Sequence, residues 1–243
     1  MDRASRATVT FALAFGAFLI APAFLGRPLP LEPRMALADL VEVATPLALV
    51  PLYWRLFREA GRVGSREERG PGGIGIALFV ALAALWAQGS GMHVAANAIG
   101  HHARGLADGR LAAAIRLYDE SLSHWIWHGA TVGLSALVMW IDGRAPAADR
   151  GVRRSPTAPH VAAGTLHGFS FFAIVVEGGT AALGVPFAVV AAAAGIARCR
   201  RAPAATPILT FFAVSYLVAA LFFAIWAVRC GGLPQFSEVG LID

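Results

Sequence analysis

The run Tyr118-Asp119-Glu120-Ser121-Leu122-Ser123-His124-Trp125-Ile126-Trp127-His128 concentrates groups that can do chemistry. Glu120, His124 and His128 recur every four residues. On an α-helix each step of four advances about 40° past a full turn, so the three share a face about 80° wide. A carboxylate and imidazoles on one face can bind a transition metal or pass protons. Adjacent members can share an ion, but Glu120 and His128 lie roughly 12 Å apart along the axis and cannot. Either His124 and His128 join a ligand from another helix, or two metals sit along the stripe. The plainer alternative has Glu120 stabilising a helix N-terminus and the histidines pairing with neighbours.

Other candidates surround this run. His93 is followed one turn later by Asn97, and a ligating imidazole needs an acceptor that holds its second nitrogen. Asn97 is therefore expected behind His93, with Gln88 close by. Gly89-Ser90-Gly91 just before it would let another backbone approach. His167, in Gly164-Thr165-Leu166-His167-Gly168, is a further candidate metal ligand. Glu177 precedes Gly178-Gly179 and is either a supporting carboxylate or a wet turn residue. Asp39 and Glu42 stand at a helix start, where the dipole accounts for them; a proton route is the alternative. His101 and His102, near Arg104 and Asp108, are expected to be solvated.

The elements that must position these groups are membrane helices. Charged residues make up only 14% of the 243 and hydrophobic ones 57%, whereas a soluble domain carries about a quarter charged. Seven apolar segments are readable, at roughly 7–25, 36–54, 74–98, 121–141, 160–178, 180–197 and 206–228. Each is near the ~20 residues that span ~30 Å of hydrocarbon. The expected fold is all-α: one polytopic bundle of seven transmembrane helices forming a single domain, 1–243. At that depth ionisable groups are costly and mark function. Residues 1–23, with a basic start and Ala21-Pro22-Ala23, also resemble a cleavable signal peptide.

All 20 basic residues are arginine. The absence of lysine excludes a retinal or pyridoxal Schiff base and a Walker A site. The arginines sit in short loops between apolar runs, which reflects membrane topology and not nucleic-acid binding. Fourteen fall on one side: Arg3 and Arg6, then the loops holding Arg55, Arg58, Arg62, Arg66 and Arg69, Arg144, Arg150, Arg153 and Arg154, and Arg198, Arg200 and Arg201. Six (Arg27, Arg34, Arg104, Arg110, Arg116 and Arg229) fall on the other. Positive-inside then sets the N-terminus in the cytoplasm and the C-terminus outside. With that orientation Asp39, Glu42, Gln88, His93, Asn97, Glu120, His124 and Glu177 gather in the outer half, with His128 and His167 near the midplane. Cys199 and Cys230 fall on opposite faces, too far apart for a disulfide. The tail from Gly231 to Asp243 is placed outside, where it can fold over the opening.

These motifs resemble, at motif level, the seven-helix membrane metal hydrolases of the CREST superfamily, which includes alkaline ceramidases and progestin/adiponectin-type receptors. Ser90 with His93, Asp119 or Glu120, and His124 with His128 match the family's three elements. The family separates its Ser and His by three residues, here two, and places its His pair on the last helix, here the fourth. The resemblance implies zinc held by His93, His124 and His128, an acidic residue acting as base, and a lipid amide as substrate.

Three readings of function follow. The first is a metal-dependent enzyme of the membrane, its site open to the outer leaflet and Glu120 handling a proton. Zinc would make it a hydrolase; iron or copper would make it an oxidase or hydroxylase. Its partners would be the bilayer and a lipid-like or hydrophobic small molecule, with no nucleic acid. The second is a b-type haem protein using His128 and His167, or His93 and His124. The third is a proton-coupled transporter using Asp39, Glu42, His93 and Glu177. Alanine and arginine richness without lysine looks like a high-GC bacterial genome, hence a bacterial cytoplasmic membrane with the site facing the periplasm.

Overall fold

The computed structural model describes residues 1–30, 35–62, 72–103, 109–144, 157–201 and 207–241. Arg34, Arg66, Arg69, Arg104, Asp108, Arg150, Arg153 and Arg154 lie outside the described residues. Eight α-helices follow in order: α1 Arg3–Ile20, α2 Leu37–Arg62, α3 Gly73–His102, α4 Gly109–Arg116, α5 Ser123–Gly143, α6 Thr157–Glu177, α7 Ala181–Arg201 and α8 Pro207–Cys230. Among the described residues there is no β-strand, only one isolated bridge between Pro28 and Ala36. The all-α expectation holds.

Among the described residues, six helical stretches are long and apolar enough to cross a membrane: Arg3–Phe24, Leu37–Arg62, Gly73–His102, Ala158–Glu177, Ala181–Arg200 and Pro207–Cys230. The expected segment 121–141 forms α5, which spans 21 residues. It is long enough, but His124, His128 and Asp142 dilute its aliphatic content.

α1 is a working part of the bundle. Asp2 caps it, accepting from the Ser5 backbone N–H at 2.7 Å, as an N-cap carboxylate should. Its Phe11 and Phe15 are fully buried, and α1 packs on α2 and α6. The largest helix contacts are α6 with α8, α3 with α5, and α7 with α8. Between lipid-exposed helices the hydrophobic effect gives little drive, so close backbone approach and van der Waals packing dominate. Gly89 shows this at the crossing that matters for the site. A Cβ there would lie 2.7 Å from the Trp127 backbone N and 2.9 Å from the Ser123 carbonyl, so a side chain would force α3 away from α5.

One stretch between the expected segments is an ordered helix, and another departs from the expected α-helical register. Residues 109–116 form α4, and Leu117–Leu122 form a π-helical turn that runs into α5. None of the residues of α4 is buried. At eight residues it is also far too short to read as a membrane span. At the C-terminal end of α6, Gly178-Gly179 makes the tight turn into α7, with Gly179 at φ +62°. The tail folds back over this end. The Trp226 indole N–H donates to the Pro234 carbonyl at 3.0 Å, and Phe236 packs on Phe172 and Trp226.

Candidate functional site

The polar groups meet where the N-terminal half of α2, the C-terminal half of α3 and the N-terminal end of α5 come together. The π turn sets their register. Its backbone bonds span five residues instead of four. The residue one turn before His124 on the histidine face is therefore Asp119, and Glu120 is rotated out. Glu120 is exposed and contributes only its backbone carbonyl, which accepts from His124 Nδ1 at 2.8 Å. The stripe expected to run Glu120, His124, His128 runs Asp119, His124, His128.

Asp119 holds His93 across the α3–α5 crossing. His93 Nδ1 lies 2.8 Å from Asp119 Oδ1 and 3.4 Å from the Asp119 backbone carbonyl. The opposite ring nitrogen, Nε2, lies 3.8 Å from Glu42 Oε2 on α2. That oxygen is buried and has no hydrogen-bond partner. The expected holder of His93, Asn97, is half-buried on the same helix; Asp119 takes that role instead.

Three imidazoles form a row. The rings of His93 and His124 are 4.8 Å apart, centroid to centroid. Those of His124 and His128 are 5.5 Å apart and nearly parallel, at 8°. Trp127 packs beside His128 at 4.7 Å. His128 is 1% exposed. Its Nδ1 is 2.6 Å from Thr180 Oγ1, and Thr180 donates its own proton towards the Val175 carbonyl at 3.4 Å. His128 Nδ1 is therefore the donor to Thr180, which leaves Nε2 with a lone pair, buried and unpartnered. Gly178 makes room for this ring: a Cβ there would lie 2.5 Å from His128 Cε1.

A cavity of about 60 Å³ adjoins the row, lined by Glu42, Thr45, Ser90, His93 and Trp127 with Leu19, Pro22 and Val94. Ser90, buried on α3, faces it. Gln88 does not; it is exposed on α3. Glu177 is a clamp for the tail, accepting from the Phe236 N–H and the Ser237 hydroxyl, each at 2.7 Å. His101 and His102 are exposed at the end of α3. Asp39 accepts from the Ala36 N–H at 2.7 Å, a helix-start role.

His167 does not join the row. Its Nδ1 meets Ser215 Oγ at 2.5 Å, and the rings of Phe15, Phe211 and Phe11 surround it at 4.2, 5.2 and 5.4 Å. Its Nε2, like that of His128, is buried without a hydrogen-bond partner.

Thr180 is the site residue that sequence reasoning missed; Glu42 was expected as a helix-start or proton-route group and not beside a histidine row. Glu42 had a signal, since it belongs to the acidic groups gathered in the outer half. Thr180 had none beyond following the Gly-Gly turn. Among the described residues, no three His, Cys, Asp or Glu side chains are gathered closely enough to hold a metal ion as they stand. The arrangement is a row of imidazoles with a carboxylate at two points, Asp119 bonded to His93 and Glu42 facing it. No family model, no curated protein and no solved structure matches the chain.

Proposed function

We propose that this chain is a metal-dependent enzyme of a bacterial cytoplasmic membrane. It crosses the membrane seven times, α5 included, with the N-terminus in the cytoplasm and the site facing the periplasmic side. Its substrate is lipid-like or another hydrophobic small molecule, and its chemistry is hydrolysis. The observation that carries the reading is the orientation of the three imidazoles. Each has Nδ1 engaged, by Asp119, by the Glu120 carbonyl and by Thr180, which is how proteins hold histidines whose Nε2 ligates a metal.

The donor chemistry fits a metal at two further points. Glu42 Oε2 and His128 Nε2 are buried polar atoms without partners. Such atoms cost about 1–3 kcal/mol each and call for a missing ion or water. His93, His124 and His128, with Glu42 facing the row, are the donors that would hold zinc once drawn closer together than they stand. The resemblance to CREST hydrolases, where three histidines hold zinc, points the same way.

When bound, zinc supplies Lewis-acid polarisation of a carbonyl. The chain's own groups do the rest. Asp119 fixes the His93 tautomer and ring direction. Thr180 and the Glu120 carbonyl do so for His128 and His124. Glu42 Oε2 is placed to accept a proton, the part expected of Glu120. Trp127, Leu19 and Val94 give the cavity apolar walls suited to an acyl chain.

Turnover in mixed micelles tests this. Chelator-stripped protein reconstituted with zinc should cleave a long-chain lipid amide or ester. Glu42→Gln and His93→Ala should each lower the rate by about 100-fold or more, the scale of a lost general base or ligand. Turnover restored by iron or copper alone, with oxygen consumed, would replace hydrolysis by oxidation.

A further inference from the structure

The end of the bundle opposite the histidine row holds a second cavity, of about 370 Å³. It lies where the C-terminal ends of α5 and α7 meet the start of α8, at the end of the bundle that carries Arg3, Arg6, Arg58 and Arg62. Its lining includes Trp140, Gly143, Arg144, Gly195, Arg198 and Leu209. Two guanidiniums thus stand over apolar walls. Arg144 lies over the Trp140 ring, its Cζ 3.7 Å from the centroid. Arg198 lies across Gly143, where a Cβ would come within 3.1 Å of its Nε. Both arginines are exposed, and Trp140 is 46% exposed. The nearest acid in sequence, Asp142, is fully buried and does not line the cavity.

We infer that this cavity binds the phosphate headgroup of an anionic phospholipid. Guanidiniums recognise phosphate through paired N–H donors, and basic pockets between membrane helices take acidic headgroups. The apolar walls distinguish the source. A free phosphate has no use for Trp140 and Leu209, whereas an acyl-bearing ligand lays its glycerol and first methylenes against them. Stacking on Trp140 holds the Arg144 fork in place before the lipid arrives. Nothing in this inference depends on the chemistry of the histidine row.

Native mass spectrometry and thermal unfolding in neutral detergent test it, with phosphatidylglycerol, phosphatidylcholine and inorganic phosphate as probes. The wild type should retain one phosphatidylglycerol per chain and unfold at higher temperature with it. Phosphatidylcholine and inorganic phosphate should not reproduce either effect. Arg198→Gln and Arg144→Gln, both exposed and so compatible with folding, should each weaken binding about fivefold, the scale of one arginine near an acidic headgroup. Unchanged retention in both variants would overturn the site. Full stabilisation by inorganic phosphate alone would overturn the lipid as its ligand.

Discussion

At the scale of single residues, the site is decided by which nitrogen of each histidine is occupied. The residue types were legible from the sequence, because histidines are rare in a helix that must sit in lipid and here they recur at helical spacing. Their partners were not. Thr180 is 52 residues from His128, and no local pattern announces a hydroxyl that arrives from the far side of a turn. Thr180→Val keeps the shape and removes the acceptor. It should leave His128 Nδ1 unsatisfied and cost about 1–3 kcal/mol, read as a lowered unfolding temperature in detergent. Thr165→Val, an exposed threonine on α6 bonded only to its own helix, should cost far less. Equal losses in the two variants would mean that the Thr180 contact does not hold the ring.

At the scale of elements, a π turn and one glycine bring the site together. Helical counting at four residues per step gave Glu120 as the acidic member of the stripe. The Leu117–Leu122 turn adds about one residue to the turn and substitutes Asp119. Sequence periodicity cannot reveal this, because a π turn stabilised by its neighbours has no composition of its own. Gly89 was legible in kind, since Gly-Ser-Gly announces a close approach, but only packing distinguishes Gly89 from Gly91. Gly89→Ala should push α3 from α5 and cost about 1–3 kcal/mol by overpacking, while separating His93 from His124. Gly91 has nothing within 4 Å of its Cβ position, so Gly91→Ala should be neutral or stabilising by up to ~1 kcal/mol. Thermal unfolding of the two variants side by side decides this; equal destabilisation would contradict the packing argument.

At the scale of the whole molecule, low charge and long apolar runs made an all-α chain with membrane-length helices readable without coordinates. The helical segments fell close to their expected places because lipid thickness dictates their length. What composition could not give was the pairing of helices, and with it the placement of His167 among aromatic rings and of Glu42 beside His93. The proposed orientation separates the two cysteines. Cys199 stands near the end of α7 and Cys230 at the end of α8. In intact spheroplasts a membrane-impermeant maleimide should label Cys230 and spare Cys199, and lysis should expose Cys199. Labelling of Cys199 in intact spheroplasts would invert the bundle and turn the histidine row towards the cytoplasm.

The central claim is that the histidine row holds a metal. Its most direct test is the metal content of protein purified in mild detergent without a His-tag or chelator, measured alongside single alanine variants. The account predicts about one zinc per chain in the wild type, its loss in His124→Ala and His128→Ala, and full retention in His102→Ala and His167→Ala. Wild-type protein without metal, or undiminished metal in both His124→Ala and His128→Ala, would contradict it.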